Sequence, residues 1–177
     1  SELTIRSLYI YNFFKEDIDM NKKNFDNFVF ETANEFIEWY IVHPLRNYDL
    51  ENNNFLGSWN IFLLLKIIQP KFYFESGFFQ GYTGFYFDKA NIKDSSGYAY
   101  DINDNKVNKN LYKFYSDKIK YFNYDFREDI DLIKSKIGKK FFFIDDHVSH
   151  LDRLLDLQNT NCDYVLFDDD WTTLTLH

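Results

Sequence analysis

Phe72-Tyr73-Phe74-Glu75-Ser76-Gly77-Phe78-Phe79-Gln80-Gly81-Tyr82-Thr83-Gly84 is a hydrophobic run that ends in an acid and breaks at once into a glycine-bearing turn. The same cadence recurs downstream. Tyr98-Ala99-Tyr100 ends in Asp101, the run 119–124 ends in Asp125, Phe141-Phe142-Phe143-Ile144 ends in Asp145-Asp146-His147, and Tyr164-Val165-Leu166-Phe167 ends in Asp168-Asp169-Asp170. Stretches of helix-compatible length separate the runs. Short apolar strands alternating with helices predict a parallel α/β sheet, and such sheets take their ligands beyond the carboxyl ends of the strands. Five runs therefore bring their acids to one edge.

Strands are expected at 71–75, 98–102, 119–124, 140–144 and 164–167, with helices at 82–91, 105–115, 128–137 and 149–158 between them. Gly138 stands where it would cap the third of these helices. Ahead of the first strand, Phe25, Phe28, Val29, Ala33, Phe36, Ile37, Tyr40 and Ile41 recur at three- and four-residue spacing. That pattern predicts a helix over 24–41 that stops before Pro44. A second helix is expected over 58–68, ended by Pro70, and 46–54 reads as a polar loop. Residues 1–20 fit either a strand or a helix, because period alone does not choose. The whole reads as one domain: a helical N-terminal extension over 1–56 and an α/β core over 57–177.

At 177 residues the chain is long enough for a substantial core, and 21 Phe and 14 Tyr supply ample apolar surface to fill it. Without a basic groove beside them, these aromatics do not read as base-stacking platforms. The net charge of −8 is spread evenly along the chain and argues against nonspecific binding to nucleic acid or an anionic membrane. Cys162 is the single cysteine, so there is no disulfide framework and no cysteine zinc site. The apolar stretch Ile61-Phe62-Leu63-Leu64-Leu65-Lys66-Ile67-Ile68 is short for a membrane span and carries a lysine. The first residues lack the regions of a signal peptide. A reduced, soluble, cytoplasmic protein is expected.

Gly77, Gly81 and Gly84 fall where a strand becomes a helix. Glycine there lets the backbone turn tightly and approach a ligand, and the helix N-terminus favours negative charge. The spacing is neither the Gly-x-Gly-x-x-Gly of dinucleotide enzymes nor a P-loop, since no Gly-Lys-Ser/Thr follows. Asp101 lies about twenty residues beyond the glycines, where an acid in such folds accepts ribose hydroxyls. The plain alternative is a tight turn and a helix-capping acid.

Glu75-Ser76-Gly77-Phe78-Phe79-Gln80-Gly81, Asp101 and Asp125 at successive strand ends resemble class I S-adenosylmethionine-dependent methyltransferases. The resemblance covers about residues 57–171 and rests on the order of loose motifs. It implies a Rossmann-like three-layer α/β/α fold with a mostly parallel sheet of about five strands. It also implies that Glu75, Ser76, Gly77 and Gly81 wrap the methionine portion of the cofactor, that Asp101 holds the ribose, and that Asp125 with Phe126 forms the adenine edge. The family sheet has seven strands, whereas this chain stops after the fifth. The expectation is a fragment, or a core whose final strands are missing or supplied by another chain, and an exposed edge that a second copy of the chain could cover.

The clusters Asp145-Asp146 and Asp168-Asp169-Asp170 gather carboxylates that repel unless a cation or solvent offsets them. Oxygen ligands suit Mg²⁺, Mn²⁺ or Ca²⁺. The arrangement resembles metal-dependent O-methyltransferases of the macrocin and cephalosporin-hydroxylase-like groups, which implies Asp146, Asp169 and Asp170 as ligands of Mg²⁺. Solvated strand-end acids are the bland alternative. His147 is placed to act as general base toward an acceptor hydroxyl, with Asp146 beside it, and His150 lies one turn on. Arg153 reads as a surface partner of Asp156. The leading expectation is methyl transfer from S-adenosylmethionine to a hydroxyl of a small molecule or sugar. The rivals are a metal-dependent phosphoesterase or other hydrolase, and a non-catalytic Rossmann-like module.

Overall fold

The computed structural model describes residues 2–15, 21–46, 55–103 and 117–168. The helix expected over 105–115 and the acids Asp169 and Asp170 lie outside the described residues. The chain divides into two compact units, Ser1–Gln69 and Pro70–His177.

The first unit consists of α1 (Glu2–Phe14), α2 (Lys22–Ile41) and α3 (Phe55–Ile68). Within the ambiguous N-terminal stretch Glu2–Phe14 is helical, and a tertiary contact accompanies that choice: the Tyr11 ring lies 4.8 Å from the Phe25 ring of α2. Helix α2 begins at Asn21, whose side chain accepts the Asn24 N–H at 3.0 Å and satisfies one of the orphan donors of the first turn. It buries Phe25, Thr32, Phe36 and Tyr40, an amphipathic stripe. Phe36 is the hub, with its centroid 5.4 Å from Phe55 and 5.5 Å from Trp59 of α3. Lys66 of α3 pairs with Glu35 at 2.8 Å.

The second unit is built on five parallel strands: β1 (Phe72–Ser76), β2 (Ser96–Tyr100), β3 (Ile119–Phe122), β4 (Lys140–Ile144) and β5 (Tyr164–Phe167). Their order is β3-β2-β1-β4-β5, so the direction of winding reverses between β1 and β4. Helix α4 (Tyr82–Lys89) joins β1 to β2. A 3₁₀ turn, Phe126–Asp129, and α5 (Ile130–Ser135) join β3 to β4, and α6 (His150–Leu157) joins β4 to β5. Right-handed crossovers on the two sides of such a reversal send helices to opposite faces. The packing follows: Tyr73 stacks on Phe87 of α4 at 4.6 Å, whereas Phe74, Tyr98, Phe142 and Ile144 pack with Phe126, Ile133 and Leu157 on the other face. Helices flank both faces of the sheet, giving three layers in a Rossmann-like arrangement.

Strand register converts the phenylalanine-rich sequence into an aromatic ladder. Phe74 lies opposite both Tyr98 and Phe142, and their rings stack at 5.2 and 4.6 Å. The strands are apolar on both faces because both faces are covered. The helix expected over 128–137 is shorter than its sequence pattern. Asp125 caps the 3₁₀ turn by accepting the Arg127 N–H at 3.0 Å, and α5 ends at Ser135. Gly138, with φ of 137°, lies beyond an already extended Lys136 and packs on the Lys71 side chain, so it turns the chain into β4 rather than capping the helix. Among the described residues, no helix is long and apolar enough to cross a membrane.

Candidate functional site

The glycine turn leaves β1 at the point where the strand order reverses, the place where open α/β sheets bind ligands. Gly77 has φ of 88°, and a Cβ there would lie 2.1 Å from the carbonyl oxygen of Asp145. Only glycine lets the exits of β1 and β4 approach backbone to backbone in this way. The Gly77 and Phe78 N–H groups both donate to the Tyr100 carbonyl, at 2.9 and 3.3 Å, tying the turn to the end of β2. Gly81, with φ of 76°, begins α4 with no side-chain cap.

Asp101 stands just beyond β2 and is 8% exposed. Its Oδ2 accepts the Phe79 N–H at 2.7 Å and its Oδ1 accepts the Asn103 N–H at 2.7 Å. The acid expected to hold a ribose therefore also pins the middle of the glycine turn. A carboxylate offers about four lone-pair sites, so these two bonds leave acceptor capacity for ligand hydroxyls. The spare acceptor capacity of Asp101 suits the hydroxyls of an S-adenosyl group, whereas the N–H groups of Gly77, Phe78, Phe79 and Gly81 are spent within the turn and its neighbours.

Glu75 lies beneath the turn rather than on it, 2% exposed on the α4 face. Burial pushes its carboxyl well above the usual range; the Tyr73 hydroxyl, donating at 3.0 Å, opposes this, while Asp145 and Asp101 add to it. Gly84 of α4 makes room for it, since a Cβ there would meet Glu75 Oε2 at 3.2 Å and the Phe78 ring at 2.9 Å. Ser76 points to the opposite face, where its hydroxyl donates to Asp146 Oδ2.

That bond leads into a network centred on Arg153 of α6. Arg153 pairs with Asp156 as expected, but from a buried position rather than the surface, its side chain being 2% exposed. It holds Asp125 in a fork, Nη1 to Oδ1 at 3.1 Å and Nη2 to Oδ2 at 2.9 Å. Nη2 also lies 2.6 Å from Asp146 Oδ2, and Nη1 lies 3.2 Å from Asp156. The guanidinium covers the Phe126 ring at 4.8 Å from its centroid. Burial pushes the Asp125 carboxyl up, but hydrogen bonds from Arg153 and Arg127 outweigh it and hold the group at about 2. Phe126, expected at an adenine edge, has no exposed surface and packs against Phe142 and Tyr100 under the network. Arg153's role was not legible in the sequence, because Asp125 and Asp146 lie 28 and 7 residues away and meet it only once the ends of β3 and β4 converge.

On the β4–β5 side, a cavity of about 390 Å³ is lined by Asp145, Asp146, His147, Ser149, His150 and Asp168, with Ile144 and Val148. Asp146 Oδ1 accepts the Val148 N–H at 3.1 Å, closing a tight turn whose middle residue, His147, has φ of 57°. Histidine tolerates this left-handed region better than most residues. His147 is exposed at the cavity, while the His150 ring packs against Phe167 at 4.6 Å. Cys162 is set apart from this chemistry: burial pushes its thiol up to about 12, and it donates to the Tyr164 carbonyl.

Among the described residues, no group of three or more His, Cys, Asp or Glu side chains is arranged to hold a metal ion. At Asp146 there is a positive reason for a poor fit to Mg²⁺. The oxygen facing the strand ends already carries a guanidinium nitrogen and a hydroxyl donor, and the other accepts an N–H.

The fold defines a Rossmann-like α/β protein whose candidate ligand site lies at its topological switch point. No family model matches the chain, and no curated protein matches its sequence. Among solved structures the chain is similar to the SAH-bound methyltransferase PaMTH1 of Podospora anserina. The TM-score is 0.51 at 15% sequence identity, with 85% of this chain and 71% of that chain covered. At that identity the likeness bears on the fold.

Proposed function

We propose that this chain binds S-adenosylmethionine at the carboxyl edge of its sheet and transfers a methyl group to a hydroxyl of a small molecule or sugar. The observation that carries the reading is the bond from the Phe79 N–H to Asp101. It makes the glycine turn after β1 and the acid after β2 one rigid cradle at the switch point. The SAH-bound state of the structural neighbour adds support from outside the chain.

S-adenosylmethionine, when bound, supplies an electrophilic methyl on a sulfonium centre. The chain's own residues do the rest. The 77–81 backbone receives the methionine portion, and the spare lone pairs of Asp101 accept the ribose hydroxyls. Glu75, kept neutral by burial, supports the turn without adding a charge. The acids of the edge favour a cationic ligand over an anionic one. Across the switch point, His147 faces the cavity where an acceptor would lie and takes the hydroxyl proton as transfer proceeds. Asp125, committed to Arg153 and Arg127, shapes the end of β3 rather than reaching for the adenine. Asp146 is already engaged by Arg153, which counts against a metal ion there. The same engagement counts against a hydrolase built on an ion at that acid.

Calorimetric titration with S-adenosylhomocysteine tests the reading. Saturable binding is expected in the wild type, at least about tenfold weaker in Asp101→Asn, whose single amide oxygen can replace only one of the two N–H-accepting oxygens and offers the ribose less. A folded wild-type sample that takes up no S-adenosylhomocysteine would overturn it.

A further inference from the structure

Acids from two strand ends meet at one buried guanidinium, and a hydroxyl from a third joins them through Asp146. Nη2 of Arg153 lies 2.9 Å from Asp125 Oδ2, after β3, and 2.6 Å from Asp146 Oδ2, after β4. The same Asp146 oxygen accepts the Ser76 hydroxyl at the end of β1. A single nitrogen thus sits between two carboxylates, in the place a bridging cation would take. We infer that Arg153 is the resident cation of this acidic edge. It is a positioning residue that fixes the turn at 145–149, and with it His147, by holding Asp146 against the end of β1, so that Asp146 recruits no divalent ion.

The orientation of α6 supports this. The helix turns Arg153 and Leu157 inward and leaves Leu151, Leu154 and Leu155 at 66%, 43% and 51% exposure. A helix placed by apolar burial alone would face its leucines to the sheet. This one gives a buried place to an arginine, and an arginine is tolerated there because it is met by three half-buried carboxylates that satisfy its charge. Asp146 passes the constraint on directly: its second oxygen holds the Val148 N–H, and that turn sets the left-handed His147.

Two readouts test the inference on the full chain: Mn²⁺ uptake by electron paramagnetic resonance, and amide hydrogen exchange by NMR. They are compared in the wild type, Asp146→Asn, Arg153→Lys and Arg153→Met. The wild type and Asp146→Asn are expected to take up Mn²⁺ alike. The Val148 amide is expected to exchange about tenfold faster in Arg153→Met, with Arg153→Lys in between and the β1 and β2 amides still protected. Mn²⁺ uptake by the wild type that Asp146→Asn abolishes would overturn the inference, as would unchanged Val148 exchange in folded Arg153→Met. If Arg153→Met does not fold, Arg153→Lys carries the same test, because a single ammonium cannot reproduce the fork on Asp125 together with the contact to Asp146. Neither readout involves the cofactor, so failure here and failure of the S-adenosylhomocysteine titration are separate results.

Discussion

Glu75 shows how burial alone can change what a residue is. It ends the hydrophobic part of β1, and its sequence position beside the glycines suggests a charged ligand contact. At 2% exposure, with Asp145 and Asp101 nearby, the charged form is instead disfavoured. The sign of the pH effect follows. A carboxyl raised on folding contributes stability in full below its unfolded pKa, and that contribution is lost as pH rises through the folded value. Glu75→Gln cannot ionise and keeps an acceptor for the Tyr73 hydroxyl. Urea midpoints measured from pH 4 to pH 9 are expected to fall less steeply with rising pH in the variant than in the wild type. Parallel profiles would show that Glu75 is not held neutral.

At the scale of elements, the join between β1 and β4 controls the site. The two strands leave the sheet side by side, and the Asp145 N–H donates to the Ser76 carbonyl at 2.8 Å. Gly77 then passes so close to Asp145 that a methyl group has no room, in a backbone region that other residues enter at a cost. Gly77→Ala is expected to destabilise the protein by about 2–4 kcal/mol, since strain and clash act together and the obstacle is backbone, not a flexible side chain. Chemical denaturation reads this directly, and a loss below about 0.5 kcal/mol would mean that the two strand exits are not held together. The elements themselves were largely legible in the sequence. β4 and β5 fall on their expected residues, because continuous apolar runs bounded by acids leave little freedom. The 3₁₀ turn and short α5 were not legible, because the Asp125 side-chain cap competes with a longer helix for the same stretch.

At the scale of the molecule, the Arg153 network gathers β1, β3, β4 and α6 into one acid-sensitive unit. Asp125, held at about 2 by Arg153 and Arg127 against the opposing effect of burial, contributes stability that is present above the ordinary carboxylate pKa of about 4. That contribution is lost as pH falls through about 2. Asp125→Asn is expected to be less stable than the wild type at pH 6 and to show a flatter acid limb between pH 4 and 2, followed by amide hydrogen exchange of the β3 and β4 strands. Equal slopes would place the acid sensitivity elsewhere.

The sequence by itself determined the alternation of strands and helices, the parallel sheet, and the placing of Glu75, Asp101, Asp125 and Asp145–Asp146 at strand ends. Each follows from short-range pattern, in which apolar runs need burial on two faces and glycine is needed at a tight exit. Tertiary structure alone decided which of those acids is neutral, which pins the turn and which is spent on an arginine. Those outcomes depend on charge, burial and distance between residues far apart in the chain. Asp101 came out as the brace of the glycine turn because β2 lies beside β1. Asp146 came out as Arg153's partner because α6 turns its charged side, not its leucines, toward the strand ends.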